Sequence, residues 1–267
     1  MKGITKRNRN VLFPIILVLA GLLGISVTSH AITNGQPDGQ RHPFVGAVHN
    51  GEVFCSGSAI SPNIFVTAAH CFRYSGERVW VTFDPEPFAP GNEPVYYAGT
   101  WYPHTYFCLG CGPGMPRTDT NDVAVVVLDK NVKLDYYAEL PSEGLVDTLT
   151  MGTEMTLVGY GAQLYSSGGG PRQPVYLRTR YYATALLIAC EDTLSDEYIK
   201  LTENPAQGKG GTCFGDSGGP ALLADTRIIP AICTFGSNSN CTGVGYYNRI
   251  DTESILNFIR PYLNKRR

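Results

Sequence analysis

Charged side chains are scarce in this sequence, and no stripe of lysine and arginine runs through the body of the chain. Asp, Glu, Lys and Arg make up 16% of the 267 residues, 43% are hydrophobic, and the formal net charge is -2. Disordered chains combine high charge with low hydrophobicity, so this composition predicts a globular protein. Without a basic stripe the chain lacks the electrostatic footprint of a nucleic-acid binder, and we expect no nucleic-acid partner.

Heptads and internal repeats are also absent, which argues against a coiled coil or a repeat architecture. Glycine (30), proline (18) and tyrosine (16) are plentiful instead, and turn signals alternate with short β-branched or aromatic runs. This pattern predicts an all-β fold of the barrel or sandwich type. The predicted strands span residues 44–48, 64–67, 79–83, 123–128, 155–158, 175–182, 221–223 and 227–232.

One helix is expected, at the C-terminal end, over residues 252–262. Ile255, Leu256, Ile259 and Leu263 fall on one side of it, and Pro261 should bend or end it. We expect this helix to pack against the rest of the fold without a catalytic role.

The first 31 residues differ from the rest of the chain. Four basic residues and no acid precede an apolar run over residues 11–27. A signal peptidase that cuts before Ile32 would inspect two positions, and both hold small residues, Ser29 and Ala31. The pattern predicts a cleaved secretory signal peptide, and therefore a secreted protein that meets a membrane only transiently. The alternative is an uncleaved anchor, but the run is short against the ~20 apolar residues of a span.

Eight cysteines all follow Ala31, at positions 55, 71, 108, 111, 190, 213, 233 and 241. An even number in an exported chain predicts disulfides formed in an oxidising compartment. A zinc site is not expected, because the CxxC of Cys108 and Cys111 has no second pair at zinc spacing. No carboxylate cluster suggests calcium either, and we expect no cofactor.

Three segments carry the residue types of acyl transfer by a serine. That chemistry needs a hydroxyl, an imidazole to take its proton, and a carboxylate to orient the imidazole. Ser217 lies in the glycine-rich segment GDSGGP, His70 lies in TAAHC, and Asp122 follows Asn121 and opens the apolar run 123–128. Taken singly, the segments also fit a turn, a structural histidine and a solvated acid.

Taken together and in this order, TAAHC, Asn121-Asp122 with its apolar strand, and GDSGGP resemble the chymotrypsin-type serine peptidases. The resemblance covers the chain from Ile32 to about Leu263. It implies two six-stranded antiparallel β-barrels with the active site between them, plus the C-terminal helix. It also implies one peptidase domain over residues 32–267.

The resemblance assigns a role to each of these residues. His70 would be the general base and then the general acid, Asp122 would fix its tautomer, and Ser217 would be the nucleophile. The backbone N–H groups of Gly215 and Ser217 would form the oxyanion hole. The function implied is a serine-type endopeptidase acting on proteins or peptides as a monomer, open to protein inhibitors.

Two other functions were weighed against this one. A catalytically silent, peptidase-like binding protein is the main alternative, although such relatives usually lack a triad residue and this chain has all three. An esterase of the α/β-hydrolase type is disfavoured, because the chain order here is His70, Asp122, Ser217 and not the Ser-Asp-His order of those enzymes.

The resemblance also implies how the enzyme is activated. In the family a new N-terminus folds inward and pairs with the aspartate before the nucleophile, here Asp216. The matching segment is Ile32-Thr33-Asn34-Gly35, which departs from the usual Ile-Val-Gly-Gly at its second and third positions. Since Ile32 follows the predicted cleavage site, signal removal itself would create the active N-terminus. The alternative is that Ile32 is an ordinary strand residue.

Two disulfides follow from the resemblance, Cys55–Cys71 beside the histidine and Cys213–Cys241 beside the primary pocket. Cys108 and Cys111 could close a small ring in the loop before Asp122. Cys190 and Cys233 then remain as a pair by elimination only, and Cys233 could instead be a buried free thiol.

By resemblance, the base of the primary pocket lies six residues before the nucleophile, at Gly211, where trypsin-like enzymes carry aspartate. The other walls would come from three segments, residues 212–214, 234–236 and 244–246, with Thr212, Cys213, Phe214, Thr234, Phe235, Gly236 and Gly245 among them. Extended substrate would pair along residues 234–236. No acid occurs from Thr234 to Tyr247. Because an unpaired buried cation is costly, the sequence predicts an uncharged pocket for a large apolar or aromatic residue and not for Arg or Lys. A small residue is the second choice.

The segment 85–116 reads as one long loop that carries Trp101, Tyr102, Tyr106 and Phe107. Two interpretations stay open: it lines the cleft and narrows substrate choice, or it is a surface insertion without a role.

Overall fold

The structure is a computed structural model that describes residues 32, 34–111, 119–162, 164–165, 174–175, 178–189, 196–204, 207–238 and 241–264. The predicted signal peptide, residues 1–31, and Cys190 lie outside the described residues. None of the helices in the described part of the chain combines the length and apolar composition that a membrane-spanning segment requires.

Six antiparallel strands close the first barrel in the order β2-β3-β4-β7-β6-β5. They follow a two-residue strand, β1 (Gln36–Pro37), that belongs to the other half of the molecule. The six strands are β2 (Val45–His49), β3 (Phe54–Ser61), β4 (Ile64–Thr67), β5 (Arg78–Thr82), β6 (Tyr97–Pro103) and β7 (Ala124–Leu128). A 3-10 turn (Ala69–Cys71) follows β4, and it carries His70.

The second barrel closes because β11 pairs with both β12 and β8, in the ring order β8-β11-β12-β15-β14-β13. β1 adds to the edge of β11, and a separate two-stranded ladder joins β9 to β10. The strands are β8 (Glu154–Gly159), β9 (Leu164–Tyr165), β10 (Pro174–Val175), β11 (Tyr181–Ala189), β12 (Tyr198–Glu203), β13 (Pro220–Leu223), β14 (Ala231–Gly236) and β15 (Gly243–Arg249). The predicted pair of six-stranded barrels is therefore confirmed.

β-Branched and aromatic residues explain why these segments form strands. Such side chains are stiff at χ1 and pack well on a pleated, half-buried surface. Three of the five residues of strand β7 are valine, and four of the five are buried between β4 and β6. Each barrel has an apolar core of its own, built around Phe65 and Trp101 in the first and around Leu157 and Leu201 in the second.

Three predicted segments differ from the observed ones. The strand predicted over 175–182 is two strands, since β10 ends at Val175 and β11 begins at Tyr181. The strand predicted over 227–232 begins only at Ala231, directly after Pro230, which has no N–H to donate to a ladder. The long loop predicted over 85–116 contains β6, and Trp101 is buried in the first barrel.

The C-terminal helix α1 (Glu253–Asn264) is present, but Pro261 lies inside it and does not end it. Proline leaves unpaired the carbonyl four residues earlier, here that of Asn257. Asn257 is exposed, so water can satisfy this carbonyl in the last turns of the helix. Ile255, Leu256 and Ile259 are buried as expected, whereas Leu263 is 39% exposed and does not belong to the buried side.

A buried arginine just before β11 joins the two halves of the molecule. The guanidinium of Arg180 donates to Asp38 Oδ2 (2.7 Å) and to the carbonyl oxygens of Gly39 (2.5 Å), Val45 (2.8 Å) and Phe83 (3.0 Å). These acceptors belong to the N-terminal segment and to the first barrel. The buried cation is thus paired and hydrogen-bonded, as a charge without water must be.

Candidate active site

The predicted histidine and aspartate meet at one end of the first barrel. Strands β4 and β7 pair with Thr67 opposite Ala124, which brings the turn after β4 next to the residues before β7. The His70 N–H donates to Asp122 Oδ1 (2.8 Å), and His70 Nδ1 lies 2.7 Å from Asp122 Oδ2. Asp122 is fully buried, whereas the His70 side chain keeps 23% of its exposure. The carboxylate therefore fixes both the position and the tilt of the imidazole.

Two carboxylates act on the charge of His70. Burial works to lower the pKa of His70, but the charge and hydrogen bond of Asp122 and the charge of Asp119 outweigh it, so the pKa is raised. Asp119, which the sequence analysis did not single out, accepts a hydrogen bond from the Gly110 N–H (2.6 Å). Burial in turn raises the pKa of Asp119.

The same three side chains form a compact ligand set. One ligand atom each from His70, Asp119 and Asp122 lie within 4.8 Å of one another. Two of the three already bind each other through the 2.7 Å contact of His70 with Asp122. The two carboxylates orient the imidazole of His70, and we do not assign a metal to this group.

Ser217 lies in the second barrel and shares one cavity with His70. Its loop is held by the first barrel, because the Ser56 N–H donates to Ser217 O (2.9 Å) and the Ser56 hydroxyl donates to Gly215 O (2.9 Å). In the described part of the chain no hydrogen bond joins the His70 and Ser217 side chains. Such contacts are often long without substrate and tighten when it binds.

Glycine is required in the loop that carries Ser217. Gly215 has φ +99° and Gly218 has φ +78°, a region that favours glycine. A Cβ on Gly218 would lie 2.3 Å from Thr67 Oγ1 and 2.5 Å from the Ala68 nitrogen. Only a glycine therefore lets this loop approach the segment that carries His70.

The backbone around Ser217 also leaves two donors free. Among the described residues, neither the Gly215 N–H nor the Ser217 N–H donates to a protein acceptor. Unused N–H groups beside a nucleophile can bind the oxyanion that forms on the attacked carbonyl.

Asp216 is buried and held by the backbone. Its Oδ1 accepts from the Gly161 N–H (2.8 Å), and its Oδ2 accepts from the Cys213 N–H (2.8 Å). Burial raises the pKa of Asp216 to about 7, and the nearby Glu203 charge raises it too. Ile32, its predicted partner, is fully buried in the core of the second barrel. An ion pair between them needs a free α-amino group on Ile32, which only cleavage after Ala31 supplies.

The cavity that holds His70 and Ser217 has a volume of about 410 Å³. Four of the predicted pocket residues line it, Thr212, Thr234, Phe235 and Gly236. The predicted walls also contain Cys213 and Phe214, which line the cavity, and Cys241 lines it as the disulfide partner of Cys213. Cys233 and Asn238 line it as well, and the sequence analysis missed these two. Gly211 and Gly245, also predicted, do not line the cavity.

Gly211 and Gly245 pack instead against a carboxyl group that the sequence analysis overlooked. A Cβ on Gly211 would lie 2.4 Å from Glu203 Cβ, and a Cβ on Gly245 would lie 2.1 Å from Glu203 Oε1. Glu203 ends β12, which pairs along β15, and its side chain is fully buried. No acid is among the residues that line the cavity, and Glu203 lies behind Gly211 and Gly245. The sequence analysis did not find Glu203 because it looked for an acid only between Thr234 and Tyr247.

Disulfides join Cys55 to Cys71, Cys108 to Cys111 and Cys213 to Cys241 in the structure. The first bridges β3 to the His70 turn, and the third lies in the wall of the cavity. The second closes the ring that contains Gly110, the donor to Asp119.

Cys233 is a buried free cysteine, which contradicts the predicted Cys190–Cys233 pair and agrees with the alternative of a free thiol. The pairing by elimination failed because Cys233 lies on β14 among the core residues of the second barrel.

Comparisons with known proteins find trypsin-like sequences and one shared fold. The family model described as Trypsin matches residues 32–259. A trypsin of Sarcophaga bullata is 26% identical over 233 residues, covering 85% of this chain and 86% of the relative. Trypsin theta of Drosophila erecta is 28% identical over 225 residues, covering 78% and 80%. The solved structure of HL collagenase shares the fold, with a TM-score of 0.66 at 20% identity, over 88% of this chain and 99% of that one.

Proposed function

Because this chain belongs to the trypsin family of serine peptidases, we propose that it is a serine-type endopeptidase that forms an acyl-enzyme on Ser217. The observation that carries this proposal is the buried Asp122 carboxylate, which holds His70 at a cavity shared with Ser217. These are the parts that acyl transfer requires, and two unused N–H groups lie beside the nucleophile.

Acylation begins when Ser217 Oγ bonds to the carbonyl carbon of the substrate and its proton passes to His70 Nε2. Asp122 stabilises the imidazolium that forms, since it accepts a hydrogen bond at Nδ1. The negative charge on the carbonyl oxygen is received by the N–H groups of Gly215 and Ser217. His70 then gives its proton to the leaving amine as the C–N bond breaks.

Deacylation repeats the sequence with water as the nucleophile. His70 takes a proton from water, the hydroxide oxygen bonds to the acyl carbon, and the proton returns to Ser217 Oγ as the ester bond breaks. One peptide bond and one water are consumed, and the enzyme is restored. The acyl chain of an extended substrate would lie along residues 234–236 at the end of β14.

Activation is proposed to follow from removal of the signal peptide. Cleavage after Ala31 gives Ile32 an ammonium group, and Asp216 is the buried carboxylate that this ammonium would meet. Pairing would shape the loop 215–217 that holds the oxyanion donors. The buried position of Ile32 supports this proposal.

The setting is an oxidising compartment, since the disulfides fit an extracellular protein. We propose that the protein is secreted and works as a monomer on protein or peptide substrates. Protein inhibitors would bind in the same cleft.

A fluorophosphonate probe tests the nucleophile directly. Secreted protein whose N-terminus is Ile32 should be labelled on Ser217, as mapped by mass spectrometry. Ser217→Ala should abolish the label, whereas Ser142→Ala, at an exposed serine outside the cavity, should keep it. Correctly processed protein that takes no label would refute the proposal and leave the silent binding protein as the function.

A further inference from the structure

The carboxyl group of Glu203 lies directly behind the wall of the primary pocket. Its strand β12 pairs with β15, with Glu203 opposite Gly243, and its side chain is fully buried. Gly211 and Gly245 have no room for a side chain because Glu203 occupies that space, and a Cβ on Gly236 would lie 3.8 Å from Glu203 Oε2. The glycines predicted to open the pocket therefore surround an acid.

The two oxygens of this carboxyl differ in their partners. Oε1 accepts hydrogen bonds from the Thr212 N–H (3.0 Å), the Thr212 hydroxyl (2.9 Å) and the Tyr247 hydroxyl (3.1 Å). Oε2 is buried and has no hydrogen-bond partner within the described part of the chain. Buried carboxylate oxygens without partners are destabilising, so this atom points to a donor that the free protein does not supply.

Two neighbours of this carboxyl line the cavity, and Glu203 itself lies behind them. Thr212, which binds Oε1, and Gly236, which lies next to Oε2, both line it. Thr234 Oγ1 also belongs to a lining residue and is buried without a partner in the described chain. A ligand that brings N–H donors would satisfy both atoms, whereas a purely apolar side chain would satisfy neither.

The charges around Glu203 favour a cation. Among the described residues no lysine or arginine forms an ion pair with it, and the like charges of Glu203 and Asp216 repel each other. Burial raises the pKa of Glu203, although the hydrogen bonds from Thr212 and Tyr247 work to lower it. The walls of the cavity, among them Phe235 and the Cys213–Cys241 disulfide, suit the alkyl stem of a long basic side chain.

We propose that Glu203 sets the primary specificity of the enzyme, and that its Oε2 receives the ammonium of a lysine or the guanidinium of an arginine whose carbonyl Ser217 attacks. The acid comes from strand β12, and the position six residues before the nucleophile is glycine. The proposal rests on the proposed endopeptidase function and replaces the preference for a large apolar residue inferred from the sequence.

The test compares peptides that differ only in the residue before the cleaved bond, Lys, Arg, Met, Gln or Phe. The mature protein should cleave the Lys and Arg peptides with a kcat/KM about 100-fold above the Met and Gln peptides. Glu203→Gln should lower kcat/KM about 100-fold for the Lys and Arg peptides, a change equal to about 2.7 kcal/mol, and leave kcat/KM for the Met peptide unchanged. Glu154→Gln, at a half-exposed glutamate of the same barrel, is the matched control and should change nothing.

Two results would overturn the proposal: a wild-type preference for Met or Phe, or an equal loss on every peptide in Glu203→Gln. Fluorophosphonate labelling of the wild type and of each variant distinguishes failure of the endopeptidase proposal from failure of the Glu203 assignment. Wild-type protein that takes no label fails the endopeptidase proposal itself, whereas protein that labels and cleaves Met but not Lys fails only the assignment of Glu203.

A second measurement keeps the test independent of the variant's folding. Benzamidine, an aromatic cation, should protect wild-type Ser217 from the label at a concentration about 100-fold below that of benzyl alcohol, its neutral counterpart. Equal protection by the two compounds would contradict a carboxylate in the pocket.

Discussion

The Gly110 N–H donates a 2.6 Å hydrogen bond to the carboxylate of Asp119, and so the small Cys108–Cys111 ring holds an acid beside the imidazole of His70. The ring thus has a place in the site, although its residues are not among those that line the cavity of Ser217. Gly110 belongs to the segment 85–116, and this contact gives the segment a role: it positions an acid whose charge raises the pKa of His70.

Asp119→Asn should lower the pKa of His70, since the Asp119 charge helps to raise it. His70 acts as a base only when neutral, so activity rises as pH climbs through its pKa. The acid limb of kcat/KM against pH should therefore move to lower pH in the variant. Asp135→Asn, at an exposed acid of the first half of the chain, is the control. Superimposable profiles for Asp119→Asn and wild type would show that Asp119 does not act on His70.

Asp122→Asn should nearly abolish activity while the fold persists. The amide keeps the shape but cannot both accept from His70 Nδ1 and stabilise the imidazolium, and losses of about 10⁴-fold follow in triads of this kind. The measurement is kcat/KM on the preferred peptide, with thermal unfolding as the check on folding. A loss below about tenfold would mean that another group orients His70.

Asp216→Asn should remove activity by removing the partner of the Ile32 ammonium. An α-amino group titrates near 8 when free, and pairing raises its pKa. While Asp216 is ionised, the ammonium contributes its full stabilisation below about pH 8, and this stabilisation is lost as pH rises through the raised pKa of the amino group. Activity of the wild type should therefore fall reversibly at alkaline pH. N-terminal sequencing of the secreted protein gives the companion result, and a start other than Ile32 would refute this activation.

Gly218→Ala should destabilise the protein by about 3 kcal/mol, because overpacking adds to the cost of a positive φ. The new methyl group would meet Thr67 Oγ1 and the Ala68 nitrogen. Gly208→Ala is the matched control, since Gly208 has φ +69° and nothing within 4 Å of the added atom. It should cost about 1 kcal/mol, the backbone part alone. Denaturant unfolding measures both, and equal losses would show that the close approach contributes nothing.

Local sequence signals were sufficient to predict the fold class and to pick out three residues that the structure brings to one site. His70, Asp122 and Ser217 each sit in a segment whose composition is informative by itself, and the chain order links the three to one family. Most strands of the first barrel were also predicted within a residue or two, because β-branched runs between turn signals are a local property.

Long-range pairing explains what the sequence did not show. Glu203 stands in the run Thr202-Glu203-Asn204, which reads as a solvated strand end, and only the pairing of β12 with β15 places it behind the pocket. Asp119 lies in a loop without hydrophobic periodicity, so no sequence pattern predicted that it would lie near His70. Cys233 failed as a partner of Cys190 because counting cysteines does not show which of them face a core.

The hydrogen bonds of Ser56 to the loop of Ser217 have a consequence for how the enzyme comes into being. Ser56 belongs to the first half of the chain, and Ser217 leaves the ribosome 161 residues later. Neither barrel by itself holds both His70 and Ser217. On the proposed function, docking of the two barrels would therefore be the step that completes the active site, and a chain still being synthesised would have no peptidase activity.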